Sequence, residues 1–301
     1  MNDLMKTAAM LCDMDGICGY EDDVRYCIRE MVKPYAQEIL TDHMGNLLVF
    51  VRGEKRRAAP VLICAHMDEV GAIVFRVSED GLLYIKPVGY MDRRIFLGKR
   101  VHIGRNGLVG VIGTKAIQLC TPEEKRYSPN MTQIYVDIGA TDREDALRYH
   151  VTRGNAVRFA KQLVGVVEYD DDCQGASDWK RMRIRAENGK LSVGDRGILT
   201  DQTGGNLMEI YGPHCGVAAG CMVLLSMMQR ERAKRLDIYY VFAIGSESDK
   251  VSQRGVKCAV YHIHPEVGIS IESLTTNMNG IKLGCGPAIL LRDEHSVLRK
   301  K

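Results

Sequence analysis

The sequence has no apolar run long enough to cross a membrane. Its longest largely apolar stretch, residues 217–228, is shorter than the roughly 20 residues that a membrane-spanning helix needs. The first 20 residues, MNDLMKTAAMLCDMDGICGY, contain acidic side chains and no continuous apolar core, so they do not resemble a secretory signal peptide. These absences predict a soluble, cytoplasmic protein.

An excess of charge of either sign is also missing. The 41 basic and 38 acidic side chains nearly cancel and are interspersed, which removes any electrostatic argument for binding nucleic acid or an anionic membrane. The ten cysteines include no Cys-x-x-Cys pair, so a structural zinc ribbon is not expected. Several lie inside apolar runs (Cys64, Cys221 and Cys258), which indicates small buried side chains in a reducing compartment.

What the sequence does contain is enough apolar material, 46% of 301 residues, for one large or two modest domains. Apolar side chains recur at helical spacing near the N-terminus, which predicts two amphipathic helices. Strands are expected at residues 38–40 and 47–51, followed by a buried strand in PVLICAHMD. That strand ends at His66, with Asp68 two residues further on. Because ligands bind at the carboxyl ends of strands in open α/β sheets, this His-x-Asp pair indicates the beginning of a metal site.

The pattern changes after residue 71. Short alternating strands predominate there, and one helix is expected in TDREDALRYHV with Thr141 as its N-cap. This pattern of short strands predicts a small β-rich domain, residues 72–165, inserted into an α/β domain. The charged segment 170–205 has turn-forming residues and no clear period, which predicts an exposed excursion. The expected strands of the β-rich domain are AIVFRV, LLYIKPV, RVHIG, LVGVIG and QIYVDIG.

The α/β pattern then resumes. A helix in GVAAGCMVLLSMMQRERAKRL is followed by the strand DIYYVFAIG, the helix QRGVKCAVYHI and the strand VGISIES. Strand, helix and strand in succession imply a parallel sheet with right-handed crossovers. The expected fold class is therefore α/β, a mostly parallel sheet flanked by helices, with residues 1–71 and 166–301 in one domain around the β-rich insertion.

The order of several motifs resembles that of a known family. These motifs are GICGYEDDVR, TDHMGNLLVF, ICAHMDEVG, GKRVHIG, GVIGTKAIQL, YVDIGATDREDAL, YYVFAIG, RGVKCAVYHIHPEVGISIE and LGCGPAI. Over nearly its whole length the chain resembles the tetrahedral, deblocking and glutamyl aminopeptidases, FrvX-like proteins that are sometimes misnamed endoglucanases.

The resemblance implies a metallo-exopeptidase-like α/β domain, interrupted by a β-rich domain that serves in assembly. It implies homo-oligomers, often dodecamers. It also implies two divalent ions, zinc or cobalt, bridged by a carboxylate and by a water that attacks the peptide bond next to a free N-terminus. A nearby glutamate moves the proton.

Carried over residue by residue, the resemblance implies only part of that metal site. His66 matches the first ligand, and Asp68 matches the partner that orients its imidazole. The bridging aspartate falls on Gly212 or Gly216, depending on how the following helix is registered, so no carboxylate is available there. His214 and Cys215 could ligate an ion from the same segment, although neither replaces a bidentate bridge and a polar turn before a helix is the simpler interpretation.

The remaining family positions are altered as well. Where the family has two glutamates, as base and ligand, AIGSESDKVSQRGVK offers Glu247 and Asp249 as candidate bases, and a solvated charged loop is an equally good interpretation. Glu272 stands where an aspartate ligand is expected, and its extra methylene would displace its oxygens. The last ligand is a histidine that would follow residue 301, so the resemblance implies a chain that is short at its C-terminus.

Three hypotheses follow. The first is an active two-ion aminopeptidase. The second, which we favour, is a catalytically impaired homologue, possessing the fold but no complete metal site, that acts as a structural, peptide-binding or regulatory partner, for example of an intact paralogue. The third is an active aminopeptidase with a reconfigured one-ion site, for which the candidate ligands are His66, Glu272, His214 and either Glu247 or Asp249. We also expect the β-rich domain to mediate self-association, because its strand edges and apolar faces would need a cover.

Overall fold

A computed structural model describes residues 3–54, 59–160, 165–169, 182–185, 198–203, 206–211, 215–230, 236–247, 253–273 and 288–289. The described helices are α1 (Asp3–Asp13), α2 (Asp22–Val32), α3 (Arg143–Arg148), α4 (Cys215–Gln229) and α5 (Arg254–Ile263). The described strands are β1 (Glu38–Thr41), β2 (Leu47–Val51), β3 (Val61–His66), β4 (Gly71–Val77), β5 (Leu83–Val88), β6 (Arg100–Ile103), β7 (Leu108–Gly113), β8 (Tyr135–Asp137), β9 (Ala156–Phe159), β10 (Gly165–Tyr169), β11 (Met182–Arg185), β12 (Ile198–Thr203), β13 (Asn206–Tyr211), β14 (Ile238–Ala243) and β15 (Val267–Ser270). None of the helices in these ranges is long and apolar enough to span a membrane.

Five strands form a mixed sheet in the order β1-β2-β14-β3-β15. β3 is parallel to both of its neighbours, β14 and β15, as the strand–helix–strand pattern predicts. β1 and β2 form an antiparallel hairpin around the DHMGN turn, and β2 is also antiparallel to β14. Half of the pairings in the described sheet are therefore antiparallel, where a mostly parallel sheet was expected, because the hairpin adds two strands to one side.

Helices cover both faces of this sheet. Ile63 and Ala65 of β3 face the cluster that contains buried side chains of α1, α2 and α4. Leu62 and Cys64, which alternate with them, face the cluster that contains buried side chains of α5. Because both faces of β3 are buried, its sequence is an almost uninterrupted apolar run rather than an alternation.

Between β3 and β10 the chain forms a closed barrel of six strands, in the order β4-β5-β8-β7-β6-β9. The five strands expected between residues 72 and 139 are all present. The sequence pattern does not predict β9, which pairs with β4 and β6 and closes the barrel. A separate apolar core fills this part of the molecule, with Val74, Leu83, Phe96, Ile112 and Val136 among its buried members.

Helix α3 is shorter than its sequence pattern predicts. Thr141 is not the N-cap, because the carboxylate of Asp142 accepts the backbone N–H of Asp145 and caps the helix one residue later. At the other end His150 has a positive φ of 59°, a left-handed conformation that does not continue a helix.

A second, antiparallel sheet follows the barrel, in the order β11-β10-β13-β12. Two of its strands, β11 and β12, lie in segment 170–205, for which the sequence predicted an exposed excursion and no strand. β11 has the sequence MRIR, and an alternation over four residues is too short to be distinguished from a charged loop.

Candidate functional site

His66 lies at the end of β3, where three parallel strands reach the same edge of the sheet. The register pairs His66 with Ala243 of β14, and Cys64 with Ser270 of β15. Glu272, two residues beyond Ser270, is therefore level with His66. The described ends of β3, β14 and β15 thus form the edge at which a ligand-binding site is expected.

The ring of His66 is held between two carboxylate side chains. Its Nδ1 is 3.0 Å from the backbone oxygen of Asp68 and 3.7 Å from Oδ1 of the same residue. Its Nε2 is 3.4 Å from Oε2 of Glu272. Because a carbonyl oxygen can only accept a hydrogen bond, Nδ1 carries a proton in this contact, and Nε2 is the ring atom that is presented to a cation.

The same two carboxylates keep a proton on His66. Burial by itself lowers the pKa of His66, but the hydrogen bonds and negative charges of Asp68 and Glu272 outweigh burial and raise that pKa from 6.5 to about 10. The ring is therefore an imidazolium at neutral pH. A metal ion that binds at Nε2 has to displace the proton on that atom first.

Asp68 joins β3 to the loop that follows β14. Its side chain is fully buried, and its two oxygens accept the backbone N–H groups of Ser246 at 3.2 Å and of Glu247 at 2.8 Å. Asp68 therefore holds the imidazole of His66 through its backbone oxygen, and its carboxylate fixes the backbone of a candidate base, Glu247. The structure brings these three residues together with Glu272, as the strand order predicts.

Two further buried carboxylates border the site and were not predicted from the sequence. Glu69 is 4% exposed and its Oε1 accepts the N–H of Gly16 at 2.9 Å. Glu21 is 3% exposed and its Oε1 accepts the N–H of Gly19 at 2.7 Å. Burial raises the pKa of Glu21, the backbone hydrogen bonds lower it, and the charge of Asp68 raises it further. The signal available in the sequence was their position inside the quoted motifs GYEDD and HMDEVG.

The first turns of α4 pack closely against the site. A Cβ atom added at Gly216 would lie 2.5 Å from Oγ of Ser273, the residue after Glu272. Further along the helix, the thiol of Cys221 contacts the backbone oxygen of His66 at 3.4 Å. The sequence has no Asp or Glu between residues 210 and 230. Position 216, one of the two places implied for a bridging carboxylate, is thus beside the site, and a side chain there would have to displace Ser273.

The donors found among the described residues are too few for a two-ion centre. Asp249 and His214 lie outside the described residues, so His66 and Glu272 are the predicted metal ligands that the structure brings together. In the described part of the chain no group of three or more His, Cys, Asp or Glu side chains is placed to hold a metal ion. A hydrolytic zinc ion takes three protein ligands, and a two-ion centre also needs a bridge between the ions. The described pair could hold one ion only with a further ligand.

Comparisons with known proteins show which proteins the chain resembles. Residues 45–170 match a family model described as M42 glutamyl aminopeptidase. A predicted aminopeptidase of Acetivibrio thermocellus is 26% identical over 295 residues, which cover 95% of this chain and 73% of that protein. SgcX of Escherichia coli strain K12, another predicted aminopeptidase, is 30% identical over 273 residues, which cover 89% of this chain but only 62% of SgcX.

The fold is also found in a solved structure, that of the TET1 peptidase of Pyrococcus horikoshii, which can assemble into a tetrahedron or a large octahedral shell. The TM-score is 0.62 at 22% identity, over 93% of this chain and 73% of that one. Fold and sequence thus define a relative of the aminopeptidases. More particularly, the matches confirm the resemblance that the motifs predict, because residues 45–170 are similar to the M42 family model and both relatives are aminopeptidases by name.

Proposed function

We propose that this chain is an M42 aminopeptidase homologue in which two-ion peptide hydrolysis is impaired. The start of α4 is the observation that carries the proposal, because the family resemblance implies a bridging aspartate there and the sequence offers no carboxylate between residues 210 and 230. Without that bridge, two ions would repel each other with no shared ligand to fix their spacing. The short distance between residue 216 and Ser273 supports this proposal, because a side chain at residue 216 would have to displace Ser273.

A reconfigured one-ion site is the second candidate. His66 and Glu272 would supply two ligands for a zinc or cobalt ion, and Asp68 would orient the imidazole. A third ligand would come from residues 246–249 or from His214. The ion would polarise the substrate carbonyl and lower the pKa of a bound water. Glu247 is the candidate to move the proton, because its backbone is bonded to Asp68 at the site.

Hydrolysis of aminoacyl p-nitroanilides, with zinc, cobalt or manganese added in turn, separates the two candidates. Impairment predicts turnover at the background rate, the same for the native chain and for His66→Ala. The control is thermal unfolding of both proteins, which shows whether each is folded at the assay temperature. Metal-dependent turnover that His66→Ala abolishes would overturn the proposal in favour of the reconfigured site. If hydrolysis is impaired, peptides or an intact paralogue are the partners that such a site would serve.

We further propose that residues 72–165 form an inserted domain through which copies of this chain associate, with residues 1–71 and 166–301 in the peptidase-like domain. Val109 and Val111 of β7 alternate with buried positions and are 54% and 45% exposed. Ile117 and Leu119 follow at 66% and 71% exposure. Apolar side chains that share one face of a strand favour burial against a partner. The assembly of the similarly folded TET1 peptidase supports a second copy as that partner.

Light scattering of the purified protein at micromolar concentration tests this second proposal. The native chain is expected to be larger than a monomer, and Val109→Lys combined with Val111→Lys is expected to reduce its mass. Tyr261→Lys is the matched control, because Tyr261 is 81% exposed but lies on α5, outside the barrel. A monomeric native chain, or equal loss of mass in the control, would refute association through the barrel.

A further inference from the structure

Two cysteines from distant parts of the sequence meet in the core beneath the site. Cys12 is near the end of α1 and Cys215 is the first residue of α4, and they are separated by 203 positions. The thiol of Cys12 points at the sulfur of Cys215, with 3.6 Å between the two Sγ atoms. Their side chains are 1% and 2% exposed.

Other buried thiols of the described residues are directed at oxygen instead. Cys221 contacts the backbone oxygen of His66 at 3.4 Å. Cys64 has a side-chain hydrogen bond with Ser270. A sulfur–sulfur contact differs from these because it can become a covalent bond. The bonded separation is about 2.05 Å, so the sulfurs of Cys12 and Cys215 would have to approach by about 1.5 Å to form the bond.

We propose that Cys12 and Cys215 are a redox-sensitive pair that forms a reversible disulfide between α1 and α4. With a small disulfide such as oxidised glutathione as the oxidant, one protein thiolate attacks it and releases one glutathione thiol. The second protein thiolate then attacks the mixed disulfide and releases the other glutathione thiol. Two protein thiols are oxidised to one disulfide, and one glutathione disulfide is reduced to two thiols.

The bond would link the N-terminal helix to the helix that packs on the site. It would close a loop of about 200 residues, and a loop of that length strongly restricts the unfolded chain, so the oxidised protein should be more stable. It would also hold the first turn of α4, where Gly216 contacts Ser273. This inference does not depend on the proposed function, because it is tested by a disulfide bond and a melting temperature and not by catalysis or metal binding.

The full-length protein, oxidised with diamide or with oxidised glutathione and then alkylated, provides the test. We expect two fewer cysteines to be alkylated than in the reduced protein, the melting temperature of the oxidised protein to rise by several degrees before alkylation, and dithiothreitol to reverse both changes. Trypsin would then yield a cross-linked pair made of residues 7–25 and residues 197–230.

Each of these peptides contains a second cysteine, which supplies the matched controls. Cys12 shares its peptide with Cys18, and Cys215 shares its peptide with Cys221. The cross-link should disappear in Cys12→Ser and in Cys215→Ser, and persist in Cys18→Ser and Cys221→Ser. Melting of the reduced variants checks that each is folded, and direct fragmentation of the native cross-link identifies the bonded sulfurs if one is not. Failure of the native protein to cross-link, or a cross-link through other cysteines, would overturn the proposal.

Discussion

Replacing Asp68 by Asn tests whether one buried carboxylate holds the candidate site together. The two oxygens of Asp68 accept the N–H groups of Ser246 and Glu247 from within a fully buried environment. An Asn side chain has nearly the same shape but only one acceptor oxygen, so one of these N–H groups would face an amide NH₂. His66 would also lose the nearby negative charge that now helps to keep it protonated.

The expected cost can be worked from these contacts. A buried donor left without an acceptor costs about 1–3 kcal/mol, and removing one partner of a buried charged pair costs about 3–5 kcal/mol. Because the two effects share one side chain, we expect the free energy of unfolding to fall by about 3–5 kcal/mol in total. For a chain of this size the melting temperature should fall by roughly 10 °C.

Urea and thermal unfolding, followed by circular dichroism in the presence of a chelator, provide the measurement, since a chelator removes stabilisation by bound ions. Asp92→Asn is the control, because Asp92 is on the surface and its carboxylate bonds only to Arg94 among the contacts described. Its melting temperature should change by no more than about 1 °C. An Asp68→Asn protein as stable as the native chain would refute the view that Asp68 fixes the loop after β14.

Three other substitutions probe the surroundings. Glu272→Gln should weaken zinc binding by about tenfold or more, measured by equilibrium dialysis, because it removes the charge that faces Nε2 of His66. Glu21 has a raised pKa, so its stabilising contribution is present below pH 4.5 and is lost as pH rises through the raised value. Glu21→Gln should therefore increase the free energy of unfolding at pH 7 to 8 but hardly change it at pH 4, as urea titrations at both pH values would show. Gly255→Ala should destabilise the chain by about 3 kcal/mol in the same assay, because the new Cβ would lie 2.0 Å from the backbone oxygen of Ile244.

Much of the site's position could be predicted from local sequence. The apolar run before His66 indicates a strand buried on both faces, and the alternation of helix and strand after residue 215 indicates parallel neighbours for it. Together these patterns place His66 at the ligand-binding edge and bring Glu272 level with it. The alternating strands between residues 72 and 139 could also be predicted, because one face of each strand packs against the same apolar core.

What the sequence did not predict depends on contacts between distant residues. As charged side chains, Glu21 and Glu69 would be expected on the surface. They can be buried because their carboxylates accept hydrogen bonds from the backbone N–H groups of Gly19 and Gly16. β9 has only four residues, which are too few for an alternation of apolar and polar side chains to be recognised. It also follows His150, which has a left-handed backbone conformation. The hairpin β1–β2 was predicted, but its antiparallel position against β14 is set by tertiary packing and not by either strand alone.

The number of divalent ions bound per chain tests the central claim most directly. Freshly purified protein, equilibrated with zinc or cobalt and freed of excess metal, would be analysed by elemental mass spectrometry, with His66→Ala prepared in parallel. We expect at most one ion per native chain, lost in His66→Ala, because the described site has one imidazole and one facing carboxylate and no bridge. Two ions per native chain, with both lost on substitution of His66, would contradict it.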